Sequence, residues 1–131
     1  MSFCTVINCM DGRTQLPVNE YLRRQLKVNY VDTITQAGPV RILAEQQESY
    51  AAQSILQNVD ISVNKHGSKS IAIVAHHDCA GNPLKPDEQL RQLKTAVKWL
   101  AGKYPAIQVL GLWVNPADSL PDKAWSVTEI R

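Results

Sequence analysis

The stretch Ser70 to Ala75 (SIAIVA) limits what this chain can become more than any other segment. It is apolar and β-branched, does not alternate, and is too short for a helix. That is the pattern of a strand buried on both faces, and such strands sit inside parallel sheets covered by helices. Parallel neighbours need crossover connections of a dozen or more residues. The rest of the 131-residue sequence therefore has to alternate strands with helices.

Phe3 to Asn8 is another short apolar run, followed by the turn-forming Asp11-Gly12, and reads as strand one ending near Cys9. Pro17 suits a first helical position, and Val18, Tyr21, Leu22 and Leu26 then recur on one face. Tyr30 to Thr35 (YVDTIT) alternates and stops at Ala37-Gly38-Pro39, giving strand two. The chain turns helical from Arg41. After Ser49 a long helix aligns Ala52, Ile55, Val59 and Val63 until Gly67 stops it. Ser70 to Ala75 is strand three and delivers His76 at its carboxyl end. Pro86, followed by Asp87 and Glu88, opens a helix with Leu90, Leu93, Val97 and Leu100 inward that Gly102 closes. Ile107 to Val114 (IQVLGLWV) is strand four. The tail from Asn115 holds Pro116 and Pro121, after which Trp125 to Ile130 alternates, as an edge strand or as a segment packed across a partner subunit.

The expected fold is α/β: a doubly wound, mainly parallel four-stranded sheet of order 2-1-3-4, helices on both faces, with a possible extra C-terminal edge strand. No repeat or composition break divides the sequence, and its length suits one domain over residues 1–131.

The net charge is only +2, with Lys and Arg scattered, so the electrostatic footprint of nucleic-acid binding is missing. Asn8, Asp11 and Arg13 interrupt the N-terminus too early for a signal peptide, and no window approaches the roughly 18 apolar residues of a membrane span. A cytoplasmic protein without membrane partners is expected. Its three cysteines are an odd count for a disulfide framework, which makes them free thiols or metal ligands. Cys4, within strand one, reads as a core thiol. His66 reads as a helix-end histidine, and Trp99, Trp113 and Trp125 as packing or subunit contacts.

In a doubly wound sheet the loops after strands one and three diverge and leave a crevice. Cys9, Asp11 and Arg13 would face His76, His77, Asp78 and Cys79 across it. Zinc takes thiolate sulfur and imidazole nitrogen in a tetrahedron, and Cys9, His76 and Cys79 are three such ligands with a fourth position left for water or Asp11. Read alone, these residues also fit a buried thiol pair beside a strand-end histidine. A thiol redox pair is disfavoured because Cys9 and Cys79 form no C-x-x-C arrangement.

The order and spacing resemble a known family. Cys9-Met10-Asp11-Gly12-Arg13 is similar to the C-x-D-x-R motif of β-class carbonic anhydrases, and His76-His77-Asp78-Cys79 to their H-x-x-C. The likeness runs from strand one through the helix after Cys79 and suggests a short, divergent branch without the N-terminal helical arm. Ala75, Ala80 and Thr35-Gln36 depart from the usual glycine, glycine and Arg-Asn. The resemblance implies Zn2+ held by Cys9, His76 and Cys79, with Asp11 and Arg13 as a catalytic dyad. It also implies a homodimer or higher homo-oligomer.

The chemistry implied is zinc-dependent hydration of carbon dioxide to bicarbonate, a small-molecule reaction in which a zinc-bound hydroxide attacks the carbon. Asp11 would orient the hydroxide while Arg13 keeps the carboxylate ionised; released by Arg13, Asp11 would ligate zinc instead. His77 and Asp78 are candidates for moving the proton. The alternatives are a zinc hydrolase of carbonyl sulfide or carbon disulfide, and a non-catalytic zinc or small-anion binding protein.

Overall fold

The computed structural model describes residues 2–117 and 124–131. Five strands form one sheet in the order β2-β1-β3-β4-β5: β1 Phe3–Cys9, β2 Tyr30–Gln36, β3 Ser70–His76, β4 Gln108–Pro116 and β5 Trp125–Ile130. The first four are parallel, and β5 runs antiparallel along β4. The expected 2-1-3-4 order is present. The alternating tail takes the edge-strand option and makes the sheet five-stranded; Pro121 lies outside the described residues.

Among the described residues four α-helices connect the strands: α1 Gln15–Leu26, α2 Pro39–Glu45, α3 Tyr50–His66 and α4 Pro86–Lys103. The first starts two residues before Pro17, after a 3-10 turn at Gly12–Thr14. Proline is tolerated there because first-turn N–H groups have no intrahelical partner. Ser49 caps α3 by accepting from the Ala52 N–H, and Gly67 ends it with a left-handed φ of 71°.

The central strands bury both faces, as the apolar run of β3 required. Ile7, Ile71, Ile73 and Ala75 pack with residues of α2, α3 and α4 on one side. Cys4, Val6, Ala72, Val74 and Leu112 pack with Val18 and Leu22 of α1 on the other. The buried stripe of α4 differs from the expected one: Leu93 and Leu100 are buried, but so are Gln89 and Gln92, while Leu90 and Val97 are only partly covered. Gln92 is accommodated because it accepts from Asn82 and donates to Glu45, at 2.8 and 3.0 Å. No helix among the described residues is long and apolar enough to cross a membrane.

Candidate metal centre

Cys9 ends β1 and His76 ends β3, two neighbouring parallel strands, so both side chains arrive at the carboxyl edge of the sheet. Cys79 returns to the same point through a tight turn in which Asp78 adopts a left-handed φ of 55°, a conformation Asp tolerates better than most residues. Two glycines hold this turn against the β2–α2 connection. Gly38 has a φ of 56°, and a Cβ on it would lie 2.7 Å from the Gly81 carbonyl; one on Gly81 would lie 2.7 Å from the Ala37 carbonyl carbon. Only glycine permits so close a backbone approach, and it keeps Cys79 against the sheet edge.

Cys9, His76 and Cys79 are 3%, 1% and 4% exposed, and their ligand atoms all lie within 4.8 Å of one another. The two sulfurs are 3.9 Å apart. Two thiolates on one tetrahedral zinc, each at about 2.3 Å, stand about 3.8 Å apart, so the pair already has the spacing of a shared metal. His76 Nδ1 donates to the His77 carbonyl at 2.7 Å. A carbonyl only accepts, so Nδ1 carries a proton, and in the neutral ring Nε2 is the nitrogen left to ligate. That Nε2 is buried without a hydrogen-bond partner among the described residues. A borderline-soft divalent cation would satisfy it, and the carbonyl contact is the kind that fixes the tautomer of a ligating histidine.

The thiols point the same way. The hydrogen bond from Cys79, against the opposing effect of burial and helped by the adjacent His76 ring, pulls the Cys9 thiol down. The same bond, reinforced by burial, pushes Cys79 up. One proton leaves this pair readily and the second is retained, unless a bound cation balances the second thiolate.

Asp11 stands beside the cluster. It caps the 3-10 turn by accepting the Arg13 backbone N–H at 2.9 Å. Arg13 Nε lies 3.0 and 3.2 Å from the two carboxylate oxygens and Nη2 lies 2.6 Å from Oδ2. This grip holds the Asp11 carboxyl down at about 2. Asp11 Oδ2 is 3.9 Å from His76 Nε2, close to the centre but committed to Arg13. Gln15 Nε2 ties the turn to β1 by donating to the carbonyls of Cys9 and Asp11, at 2.7 and 3.0 Å. A cleft of about 320 Å³ opens beside Cys79, with Ala80, Pro83 and Leu84 among its walls.

The profile of the family described as "Putative carbonic anhydrase" matches residues 1–131. The chain belongs to this family. Its fold is that of β-carbonic anhydrases. A carbonic anhydrase from Glaciozyma antarctica superposes with a TM-score of 0.55 at 13% identity, over 94% of this chain and 80% of the other. The β-carbonic anhydrase CafA of Aspergillus fumigatus gives 0.52 at 15% identity, over 96% and 74%. A tetrameric β-carbonic anhydrase from Sordaria macrospora gives 0.50 at 13% identity, over 85% and 75%. No curated protein matches the chain by sequence. Identities this low speak to fold, and what this carbonic anhydrase family member does must be argued from its site.

The structure thus brings Cys9, His76 and Cys79 together and sets the Asp11–Arg13 pair beside them. His77 and Asp78 are exposed at the rim, and Asp78 is 3.3 Å from Arg13. Cys4 is fully buried, its thiol pushed up to about 11 by burial and by Asp32. His66 does more than end a helix: it lies 2.6 Å from Asp32 and stacks on Phe3. Sequence reading missed the roles of Gln15, of the Gly38–Gly81 approach, and of Trp125, whose ring lies 4.4 Å from the Arg13 guanidinium carbon. From the sequence Trp125 reads as packing or a subunit contact, and nothing there sets it against Arg13.

Proposed function

We propose that this chain holds one zinc ion between Cys9, His76 and Cys79 and hydrates carbon dioxide to bicarbonate. The observation that carries the reading is the bare, buried Nε2 of His76 beside two thiols 3.9 Å apart, with a carboxylate oxygen 3.9 Å away. Zinc held by three protein ligands supplies a Lewis acid that brings the ionisation of water toward neutral pH. Two thiolates cancel the ion's formal charge, so orientation by the surrounding residues has to contribute more than in an all-histidine site. Asp11, held ionised, accepts a hydrogen bond from the attacking group and fixes which lone pair faces the substrate. Arg13 occupies both Asp11 oxygens and so keeps the carboxylate from becoming a further ligand. The cleft beside Cys79, walled by Ala80, Pro83 and Leu84 together with the polar His77, Asp78 and Gln89, has room for a small substrate on the Cys79 side of the centre. His77 at the rim is positioned to pass the proton to solvent.

The working assembly is a homo-oligomer. Met10 and Leu16, 66% and 67% exposed, flank the dyad in sequence and offer apolar surface for a second copy, and one structural neighbour is described as tetrameric. Three free, buried thiols suit the reducing cytoplasm.

The test is stopped-flow hydration of carbon dioxide by the protein loaded with one equivalent of zinc, beside a Cys79→Ser control, from neutral to mildly alkaline pH. Turnover that requires zinc, rises with pH and disappears in the control is expected. No turnover at any pH with zinc bound overturns carbon dioxide hydration and leaves the sulfur analogues or a binding role.

A further inference from the structure

Arg13 controls Asp11, yet its side chain is 46% exposed, so water competes for the guanidinium. Three contacts beyond Asp11 oppose that competition. Nη1 lies 3.3 Å from the Asp78 carboxylate, Nη2 donates to the Asp78 carbonyl at 3.1 Å, and Cζ stands 4.4 Å from the centre of the Trp125 ring. The first two come from the turn that carries Cys79. The third comes from β5, a strand that supplies no candidate ligand. Trp125 opens β5 opposite Pro116 of β4, and its ring centre is also 6.1 Å from that of His76 and 6.2 Å from that of His77. The indole is therefore packed along the dyad side of the site, and Val127 seats the same face of β5 on the α1 layer.

We propose that Trp125 is a positioning residue: its indole face holds the Arg13 guanidinium in the orientation that grips Asp11, so β5 completes the centre that β1 and β3 begin. Only the consequence for turnover rests on the proposed function; the contact stands on Arg13 and Trp125 themselves. A guanidinium prefers the electron-rich face of an aromatic ring, tryptophan being the strongest partner, and a flat ring also restricts its rotation. At a half-exposed site the effect amounts to roughly two- to fivefold in the population of the held state. Phenylalanine keeps a weaker face at the same place, and leucine keeps apolar bulk without one.

Nuclear magnetic resonance of the metal-free protein tests the contact. In the unmodified chain, Overhauser effects are expected between the Arg13 side chain and the Trp125 indole protons, with the Arg13 Nε–H signal displaced by the ring. In Trp125→Leu that displacement should vanish and Arg13 Nε–H should exchange faster with water, while the β4–β5 amide signals persist; Trp125→Phe should restore part of it. With zinc, Trp125→Leu should lower kcat/KM roughly two- to fivefold, partly recovered in Trp125→Phe. Absence of the Overhauser effects in the unmodified protein overturns the proposal whether or not the variants fold. So does an Arg13 signal indifferent to Trp125→Leu or, where the unmodified protein turns over, unchanged turnover in that variant. If the zinc-loaded unmodified protein does not hydrate carbon dioxide, the proposed function fails separately, and the resonance data alone decide whether Trp125 positions Arg13.

Discussion

A single nitrogen, Nε2 of His76, separates a metal centre from an ordinary buried thiol pair. Leaving it unpaired costs about 1–3 kcal/mol, and binding a cation recovers that. A ligand that binds only the folded chain stabilises it by about 4 kcal/mol at a thousandfold excess over its Kd, so zinc is expected to raise the melting temperature by roughly 10 °C or more. Thermal denaturation with and without a chelator checks this, and the rise should be absent in Cys79→Ser. Asp11 gives a pH signature. Its folded pKa, about 2, lies below the ordinary carboxylate value, so its contribution is present above about pH 4 and lost as pH falls toward 2. Because Arg13 is half exposed, screening reduces that contribution to about 1 kcal/mol. Arg13→Ala should therefore be less stable than the unmodified chain by about this much at pH 6, with the gap closing between pH 4 and 2. Urea denaturation across that range reads it.

At the scale of elements, the sheet was legible because its information is local. The unbroken run of β3, the short run of β1 and the alternation of YVDTIT each announce a strand, and the doubly wound topology then sends Cys9 and His76 to the same edge. The convergence of the candidate site's residues was legible for the same reason, since Cys9, His76 and Cys79 sit at strand ends or one turn beyond; reading them as ligands took the family resemblance as well. What escaped was every feature made by residues distant in sequence and unmarked by periodicity. Gln92 looks like a surface residue until Asn82 and Glu45 engage it, and Trp125 like packing until Arg13 lies on it. Gly38 and Gly81 look like ordinary turn residues, yet each excludes a Cβ from the other's backbone. Gly81→Ala must push the Cys79 turn away from the β2–α2 connection. It is expected to cost about 1–3 kcal/mol and to weaken zinc binding at least tenfold, within the range of supporting contacts at metal sites. Urea melts and competition with a zinc chelator measure the two effects.

The whole molecule is a sheet with its chemistry at one edge and its core on both faces. Beside that edge the apolar Met10 and Leu16 are exposed. A dimer or larger assembly is the expected state in analytical ultracentrifugation, with Leu16→Glu shifting it toward monomer. X-ray absorption at the zinc edge tests the proposed metal centre most directly, on protein reconstituted with one equivalent and freed of excess. The expected shell has two sulfurs at about 2.3 Å, one imidazole nitrogen at about 2.0 Å and one further light atom, falling to one sulfur in Cys79→Ser. A protein that retains no zinc, or a shell without two sulfurs, would contradict the Cys9–His76–Cys79 centre and the function built on it.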